Sequence, residues 1–227
     1  MNRLLFVSKK QFEDAFQRQL ADYDLEFFEP AIKGDPEAAI RLTYGLPKDM
    51  RGLLAFYFWV HAKAPEAFRA VLEQAWSGEH RQVIEVAGTR RDLEAMFRAA
   101  RFELPSEWPE KVTVYRGTSK FTFEKAKRGH SWTTSKQLAA WFAMRFASLN
   151  GSPLVLKATV PKTSILHYSN ERHEQEAVCF HVRGAKIDGT PEDWEKLMDR
   201  ENEERRQRRI EWLAEVQAKR NASNSTD

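Results

Sequence analysis

The chain has 227 residues, of which 42% are apolar, and its 36 basic and 33 acidic residues leave a formal net charge of +3. That length and apolar content are enough for a sizeable core, which excludes a disordered chain, and the charge is too balanced to require a nucleic-acid partner. The single cysteine, Cys179, excludes an internal disulfide and a cysteine metal cluster, so we expect a cytoplasmic protein without a metal. The longest apolar run, Leu53–Val60, is far shorter than the ~20 residues of a membrane span, and we expect no membrane association.

Residues 1–108 are predicted to form a helical region that packs on the rest of the chain, because apolar residues recur three and four positions apart. The positions that show this spacing most clearly are Phe12, Phe16, Leu20, Phe68, Val71, Leu72 and Trp76. His61 and His80 lie near aromatic residues and are expected to be packed or surface residues rather than catalytic bases. The segment Arg90–Arg101 predicts an amphipathic helix whose arginine face is either solvated or follows a phosphate backbone.

A strand-rich core is predicted over residues 109–190, because the apolar pattern changes there from helical spacing to alternation. The strands are expected at 112–116, 154–160 and 176–182, with shorter ones at 121–123 and 165–167. Residues 191–220 predict a charged C-terminal helix, and residues 221–227 are expected to be disordered. This order of elements predicts an α+β fold.

Arg116 directly follows the first predicted strand. Its guanidinium is a planar fork that matches phosphate oxygens, which a lysine does not reproduce, so this residue suits the binding of a pyrophosphate. An arginine in this position is otherwise an ordinary solvent-facing residue. Gly117 next to it allows a ligand to approach the backbone closely, or serves only as a turn residue.

A cluster of hydroxyl residues, Thr133 to Ser135, precedes a helix. Thr134 and Gln137 have the spacing of a capping box, which gives one of the three hydroxyls a structural role. The hydroxyls of Thr133 and Ser135 remain available to order a ligand or a neighbouring carboxylate.

Two glutamates precede the apolar part of the third predicted strand. If that strand begins early enough, Glu174 and Glu176 lie on the same face, because side chains alternate along a strand. Two carboxylates this close raise the pKa of one of them unless a cation intervenes, and Arg116 or a cationic ligand is a candidate for that cation. The alternative is a solvated edge, although Glu176 directly adjoins strongly apolar residues.

The order of these three pieces resembles the arginine-serine-glutamate class of mono-ADP-ribosyltransferases, the class of cholera toxin and the clostridial toxins, which includes bacterial and phage enzymes. The resemblance covers Val112 to Val182. It implies a split β-sandwich of two packed antiparallel sheets, with the helical N-terminal region as an added layer. It also implies that Arg116 binds the phosphate and ribose of NAD, that Gly117 meets the nicotinamide amide, and that Glu176 is catalytic.

The resemblance further defines a full set of site residues. The implied catalytic residues are Glu176, Glu174 and Thr133, and the implied cofactor-binding residues are Arg116, Gly117, Thr134, Ser135, Trp141 and Phe142. Thr133 departs from the pattern, because the family more often has a serine there. The predicted loop at 163–173, which contains His167, Tyr168 and His173, is where an acceptor would be selected.

The expected activity is the transfer of ADP-ribose from NAD to a macromolecule, with release of nicotinamide. The Glu-x-Glu form of Glu174 and Glu176 accompanies a protein arginine as acceptor in this family, so that acceptor is our first expectation. The alternatives are a base of RNA or DNA, as in a toxin or antiviral effector, and a catalytically inactive or nucleic-acid-binding module on the same scaffold. The expected partners are NAD, the acceptor, and an antitoxin or inhibitor protein.

Overall fold

The computed structural model describes residues 7–62 and 64–223. The chain divides into two compact units, Met1–Glu103 and Leu104–Asp227. The N-terminal unit is built from helices and the C-terminal unit contains the β-sheet. In the described part of the chain, every helix is too short or too polar to cross a membrane.

The N-terminal unit is helical, as its apolar spacing predicts. Its helices are α1 (Lys9–Gln17), α2 (Asp22–Leu25), α3 (Phe28–Lys33), α4 (Pro36–Gly45), α5 (Lys48–Val60), α6 (Pro65–Ala87) and α7 (Arg90–Ala100). Helix α5 carries the longest apolar run and is buried along most of its length. His61 at its end packs 5.5 Å from the ring of Phe12, which agrees with the prediction of a packed histidine.

The C-terminal unit contains a six-stranded antiparallel sheet. Its strands are β1 (Lys111–Thr118), β2 (Ser131–Thr133), β3 (Leu154–Pro161), β4 (Ile165–Ser169), β5 (Glu176–Cys179) and β6 (Lys186–Ile187), in the spatial order β4-β5-β2-β1-β3-β6. Its helices are α8 (Phe123–Ala126), α9 (Lys136–Met144), α10 (Ala147–Asn150) and α11 (Pro191–Ser223). The α+β class is therefore confirmed.

The prediction of two packed sheets is wrong, because the described strands form one open sheet. The short strand β2 pairs with β5 on one side and with β1 on the other, so the sheet consists of two three-stranded halves, β4-β5-β2 and β1-β3-β6, that meet between β2 and β1. Its connection to β1 consists of the single residue pair Tyr115–Thr133. By contrast, β1 and β3 pair along eight residues. We call the Tyr115–Thr133 pair the joint of the sheet.

Several predicted boundaries are corrected by the structure. Residues 121–123 are not a strand, because Thr122 precedes helix α8 and both neighbouring phenylalanines pack on the core instead. The third predicted strand ends at Cys179 rather than at residue 182. The C-terminal helix extends to Ser223, so residues 221–223 are helical where disorder is predicted. Residues 224–227 lie outside the described part of the chain.

The sheet is covered on both faces. One face carries an apolar cluster that includes Val114, Trp132 and Ala177. The other face is covered by α9, which packs together with Trp194 of α11. A Cβ atom added to Gly117 would lie 1.7 Å from the carbonyl oxygen of Ala139 in α9, so only a glycine permits this approach of the helix to β1. This close packing places the first turn of α9 beside the end of β2.

Candidate functional site

The sheet brings the three predicted pieces of the site together. Thr133 is the neighbour of Tyr115 on β1 and of Glu176 on β5, so the three residues form one row across the sheet. Arg116 follows Tyr115 in β1. We call the region around Arg116, Thr133, Glu174 and Glu176 the candidate site.

Thr133 connects the end of β2 to the turn before β5. Its hydroxyl is buried, donates a hydrogen bond of 2.8 Å to the backbone carbonyl of Glu174, and accepts a bond of 3.2 Å from the backbone N–H of Ser135. Thr134 strengthens the same connection with two hydrogen bonds to Gln175. Its backbone N–H donates to the backbone carbonyl, and its hydroxyl donates to the side-chain oxygen. The hydroxyl cluster therefore holds the segment that carries the two glutamates.

Ser135, rather than Thr134, caps helix α9. Its hydroxyl oxygen accepts a hydrogen bond of 3.2 Å from the backbone N–H of Leu138. The capping box predicted for Thr134 and Gln137 is wrong, because Thr134 is still paired with Gln175 and the helix begins one residue later. The Ser135 hydroxyl that caps the helix thus already accepts a hydrogen bond within the protein.

The Arg116 guanidinium is buried beside the joint. Its Nη1 donates to the backbone carbonyl of Ser131, and Gly129 lies directly against it, since a Cβ atom on that glycine would be 2.3 Å from Cζ. Burial lowers the pKa of Arg116 to about 10, and the negative charge of Glu176 partly opposes that decrease. The buried Nε atom has no hydrogen-bond partner among the described residues. A ligand that brought an acceptor oxygen to this atom would satisfy it.

Because side chains alternate along a strand, the Arg116 side chain leaves β1 on the face of the sheet opposite to that of Tyr115 and Glu176. The two charges nevertheless lie close enough for the carboxylate of Glu176 to raise the pKa of Arg116. Both residues adjoin the row through Tyr115 and Thr133, where the backbone pairing between β1 and β2 is reduced to a single pair. The Glu176 carboxylate therefore acts electrostatically on Arg116, and a dinucleotide bound between the two residues stays a prediction.

The turn before β5 has two residues in the left-handed backbone region. His173 has φ +54° and Gln175 has φ +45°, and neither is a glycine. Such conformations cost free energy and persist only where the surroundings enforce them, often at functional sites. Because Gln175 interrupts the extended backbone, Glu174 lies outside β5. The condition under which Glu174 and Glu176 would share one strand face, a strand that begins before Glu174, is therefore not met.

Glu174 is held from two directions. Its backbone carbonyl accepts the hydrogen bond from Thr133, and its carboxylate forms an ion pair of 2.5 Å with Arg172. The Glu174 side chain is only 19% exposed, whereas that of Arg172 is 53% exposed. The carboxylate is thus positioned to bind a guanidinium and is already bound to one.

The predicted acceptor loop at 163–173 is only partly a loop. Residues Ile165–Ser169 form strand β4, and His167 is 1% exposed within it. Burial lowers the pKa of His167 to about 4, so this histidine is neutral at physiological pH and faces the interior. Residues 170–173, which include His173, are exposed and remain available to contact an acceptor.

Trp141 and Phe142 lie on helix α9, and Trp141 faces α11. The indole N–H of Trp141 donates a hydrogen bond of 2.9 Å to Asn202. The guanidinium of Arg205 lies 3.9 Å from the Trp141 ring centroid, and that of Arg145 lies 4.3 Å from it. Arg145 also lies 4.9 Å from the ring of Phe142. Both aromatic residues therefore contact arginines, and a contact with a cofactor stays a prediction.

A polar cleft of about 320 Å³ adjoins the candidate site. It is lined by the first turn of α9, the turn before β5 and the middle of α11, including Ser135, His173 and Arg208. Glu201 of α11 is 3% exposed at its edge, and its carboxylate accepts hydrogen bonds from Gln137, Arg205 and Arg208. Helix α11 is therefore part of the site region, which the sequence pattern did not indicate.

Two further residues shape the site, and no sequence pattern identifies them. Gly129 makes room for the Arg116 guanidinium, and only its position shortly before the hydroxyl cluster could have suggested a role. Glu201 lies in a helix where charged residues are frequent, and its burial is visible only in the structure.

No protein-family model, curated protein or solved structure matches this chain. Within residues 7–62 and 64–223, no three histidine, cysteine or acidic side chains are grouped in a way that could hold a metal ion.

Proposed function

We propose that this protein is a NAD-dependent mono-ADP-ribosyltransferase, which transfers ADP-ribose from NAD to a macromolecular acceptor and releases nicotinamide. The observation that carries the proposal is the row Tyr115–Thr133–Glu176, with Arg116 beside it. It supports the proposal because the segments that carry the arginine, the hydroxyl and the glutamate come from distant parts of the sequence and lie on adjacent strands. The ADP-ribosyltransferase-like character of the fold belongs to the same proposal.

In the proposed reaction, Arg116 binds the pyrophosphate of NAD. A guanidinium forms two parallel charge-assisted hydrogen bonds with phosphate oxygens, and these bonds are strongest where water is excluded. Arg116 is desolvated, and its Nε has no partner among the described residues. A phosphate oxygen supplied by the ligand would satisfy that donor.

Glu176 stabilises the transition state in this proposal. When the bond between the ribose C1′ and the nicotinamide nitrogen breaks, its electron pair leaves with nicotinamide and the ribose becomes an oxocarbenium ion. A fixed carboxylate lowers the energy of that cation, as in glycoside hydrolysis. Thr133 contributes by holding the turn that precedes Glu176.

A protein arginine is the first proposed acceptor. Glu174 would hold its guanidinium and take up a proton as the nitrogen bonds to C1′. The ion pair with Arg172 supports this role, because the Glu174 carboxylate accommodates a guanidinium there. The acceptor would replace Arg172.

A base of RNA or DNA is the second candidate, favoured by the arginines and aromatic rings on α9 and α11. A catalytically inactive or nucleic-acid-binding module is the third.

Incubation with NAD labelled in its adenylate part, together with a cell lysate, tests the proposal. Label is expected in macromolecules, and separate protease and nuclease digestions identify the acceptor by which treatment releases it. Nicotinamide release is measured in parallel. Absence of both label transfer and nicotinamide release would contradict the proposed activity.

A further inference from the structure

A cluster of arginines and aromatic rings covers the surface formed by α9, the start of α10 and the middle of α11. Arg145 lies over three rings, at 4.3 Å from Trp141, 4.9 Å from Phe142 and 4.8 Å from Phe146. Arg205 lies over Trp141 from the neighbouring helix. We call these five residues the arginine–aromatic surface.

Among the described residues, some arginines at and near this surface form ion pairs with carboxylates, and Arg145 does not. Glu201 pairs with Arg205 and Arg208, and Glu174 pairs with Arg172. Arg145 contacts aromatic rings rather than a carboxylate in the described part of the chain. Burial lowers the pKa of Arg145, the negative charge of Glu174 opposes that decrease, and the smaller effects of the Arg205 and Arg172 charges add to it. An anionic ligand would relieve the repulsion between these cations.

Part of the surface is open to solvent. Phe146 is 46% exposed and Leu149 beside it is 80% exposed. Exposed aromatic rings next to guanidinium groups are the combination that binds unpaired nucleotides, because bases stack on the rings and the cations hold the phosphates. A paired base does not offer its face in this way.

We propose that the arginine–aromatic surface binds single-stranded nucleic acid. The phosphates would contact Arg145 and Arg205, and an unpaired base would stack on Phe146. Helices α9 and α11, which carry this surface, line one cleft together with the turn before β5, and the charge of Glu174 in that turn acts on Arg145. A bound strand would therefore be held next to the candidate site. That this strand is the ADP-ribose acceptor rests on the proposed function, whereas the binding itself does not.

Binding is tested with the full chain in the absence of NAD. The probe is a fluorescein-labelled single-stranded RNA of about 12 nucleotides, a length within the usual site sizes, and the measurement is fluorescence anisotropy at several salt concentrations. We expect affinity to fall steeply as salt increases, because bound counterions are released from the phosphates. Unlabelled single strand is expected to compete, and a duplex of the same sequence is expected to compete at least about tenfold less well.

Two variants examine the two parts of the surface. Arg145→Gln removes the cation and is expected to weaken binding roughly tenfold, which corresponds to about 1.4 kcal/mol. Phe146→Ala removes the exposed ring and is expected to weaken binding to a similar extent. The control, Arg183→Gln, removes an exposed arginine elsewhere in the same unit and is expected to leave the affinity within about twofold. Circular dichroism verifies that each variant is folded.

Three results would overturn the inference: no binding of the single strand at low salt, equal competition by the duplex, or equal competition by polyglutamate. The last would indicate a surface for acidic protein segments. Nicotinamide release from NAD is measured separately on the same preparations. A protein that releases nicotinamide without binding RNA contradicts only this inference, and one that binds RNA without consuming NAD contradicts only the proposed function.

Discussion

The hydroxyl of Thr133 donates a 2.8 Å hydrogen bond to the backbone carbonyl of Glu174, 41 residues further along the chain. The bond fixes the end of β2 to the turn whose residues His173 and Gln175 adopt left-handed conformations. The bond requires only a hydroxyl, so a serine at this position could form it as well as the threonine does.

Substitution of Thr133 tests this connection. Thr133→Val keeps the shape of the side chain and leaves the buried carbonyl without its donor, so the free energy of unfolding is expected to fall by about 1–3 kcal/mol. Thr133→Ser keeps the donor and is expected to retain nicotinamide release within a few-fold of the native protein, whereas Thr133→Val loses most of it. Urea unfolding and the rate of nicotinamide release measure the two effects. Equal behaviour of the two variants would show that the hydroxyl is unimportant.

The role of Glu176 is examined with Glu176→Gln, which removes the charge and preserves the size. Loss of a group that stabilises charge in the transition state typically costs a factor of about 10²–10³ in turnover, and we expect a loss of that order. NAD affinity, measured by calorimetry, is expected to change by only a few-fold. Glu110→Gln is the matched control, because Glu110 is exposed next to the opposite end of β1 from Arg116. Full turnover in Glu176→Gln would refute the assignment.

Gly129 is expected to be needed for NAD binding although it offers no functional group. A methyl group on this residue would lie 2.3 Å from Cζ of Arg116, so Gly129→Ala displaces the guanidinium. We expect NAD affinity to fall about tenfold or more, comparable to the effect of Arg116→Lys, which lacks the planar fork. Calorimetry measures the affinity and thermal unfolding measures stability. Unchanged NAD affinity in both variants would exclude Arg116 from the binding site.

His167 predicts a dependence of stability on pH. Burial lowers its pKa to about 4 in the folded state, against an ordinary value of about 6.5 in the unfolded chain. Below pH 6.5 the unfolded chain binds a proton that the folded protein does not, so stability decreases as pH falls towards 4. Between pH 7.5 and pH 5 this histidine alone is expected to remove about 2 kcal/mol from the free energy of unfolding.

The measurement is urea unfolding at both pH values. His167→Leu removes the group that titrates and is expected to reduce the loss of stability on acidification. The control, His181→Asn, removes an exposed histidine, and this variant is expected to lose as much stability on acidification as the native protein does. An undiminished loss in His167→Leu would assign the effect to other groups.

The longer strands could be predicted because Val112 and Val114 alternate with polar residues and Pro161 ends β3. Strand β2 could not, since three residues are too few to establish alternation and its serine and threonine resemble the start of a helix. Phe121 and Phe123 show strand-like alternation, yet they pack on the core from irregular and helical backbone. Tertiary packing overrides the local pattern there.

The site was predicted in part for similar reasons. Residue types and their order brought Arg116, Thr133 and Glu176 into consideration. The sheet pairs Thr133 with Glu176, and the charge of Glu176 raises the pKa of Arg116 against the effect of burial. The left-handed conformation of Gln175, which removes Glu174 from the strand, is enforced by its contacts with Thr134 and is invisible in the sequence. The burial of Glu201 depends likewise on the packing of α11 against α9.

The two halves of the sheet share a single residue pair, so the sheet is mechanically weakest at the joint. Bending there would alter the separation of the charges at Arg116 and Glu176, while the eight-residue ladder between β1 and β3 stayed intact. Amide protons at the pair should consequently exchange with deuterium faster than those of that ladder, and a dinucleotide lying across the joint should slow them. If NAD binds across the joint, the two halves of the sheet could adjust to it there without the unfolding of either half.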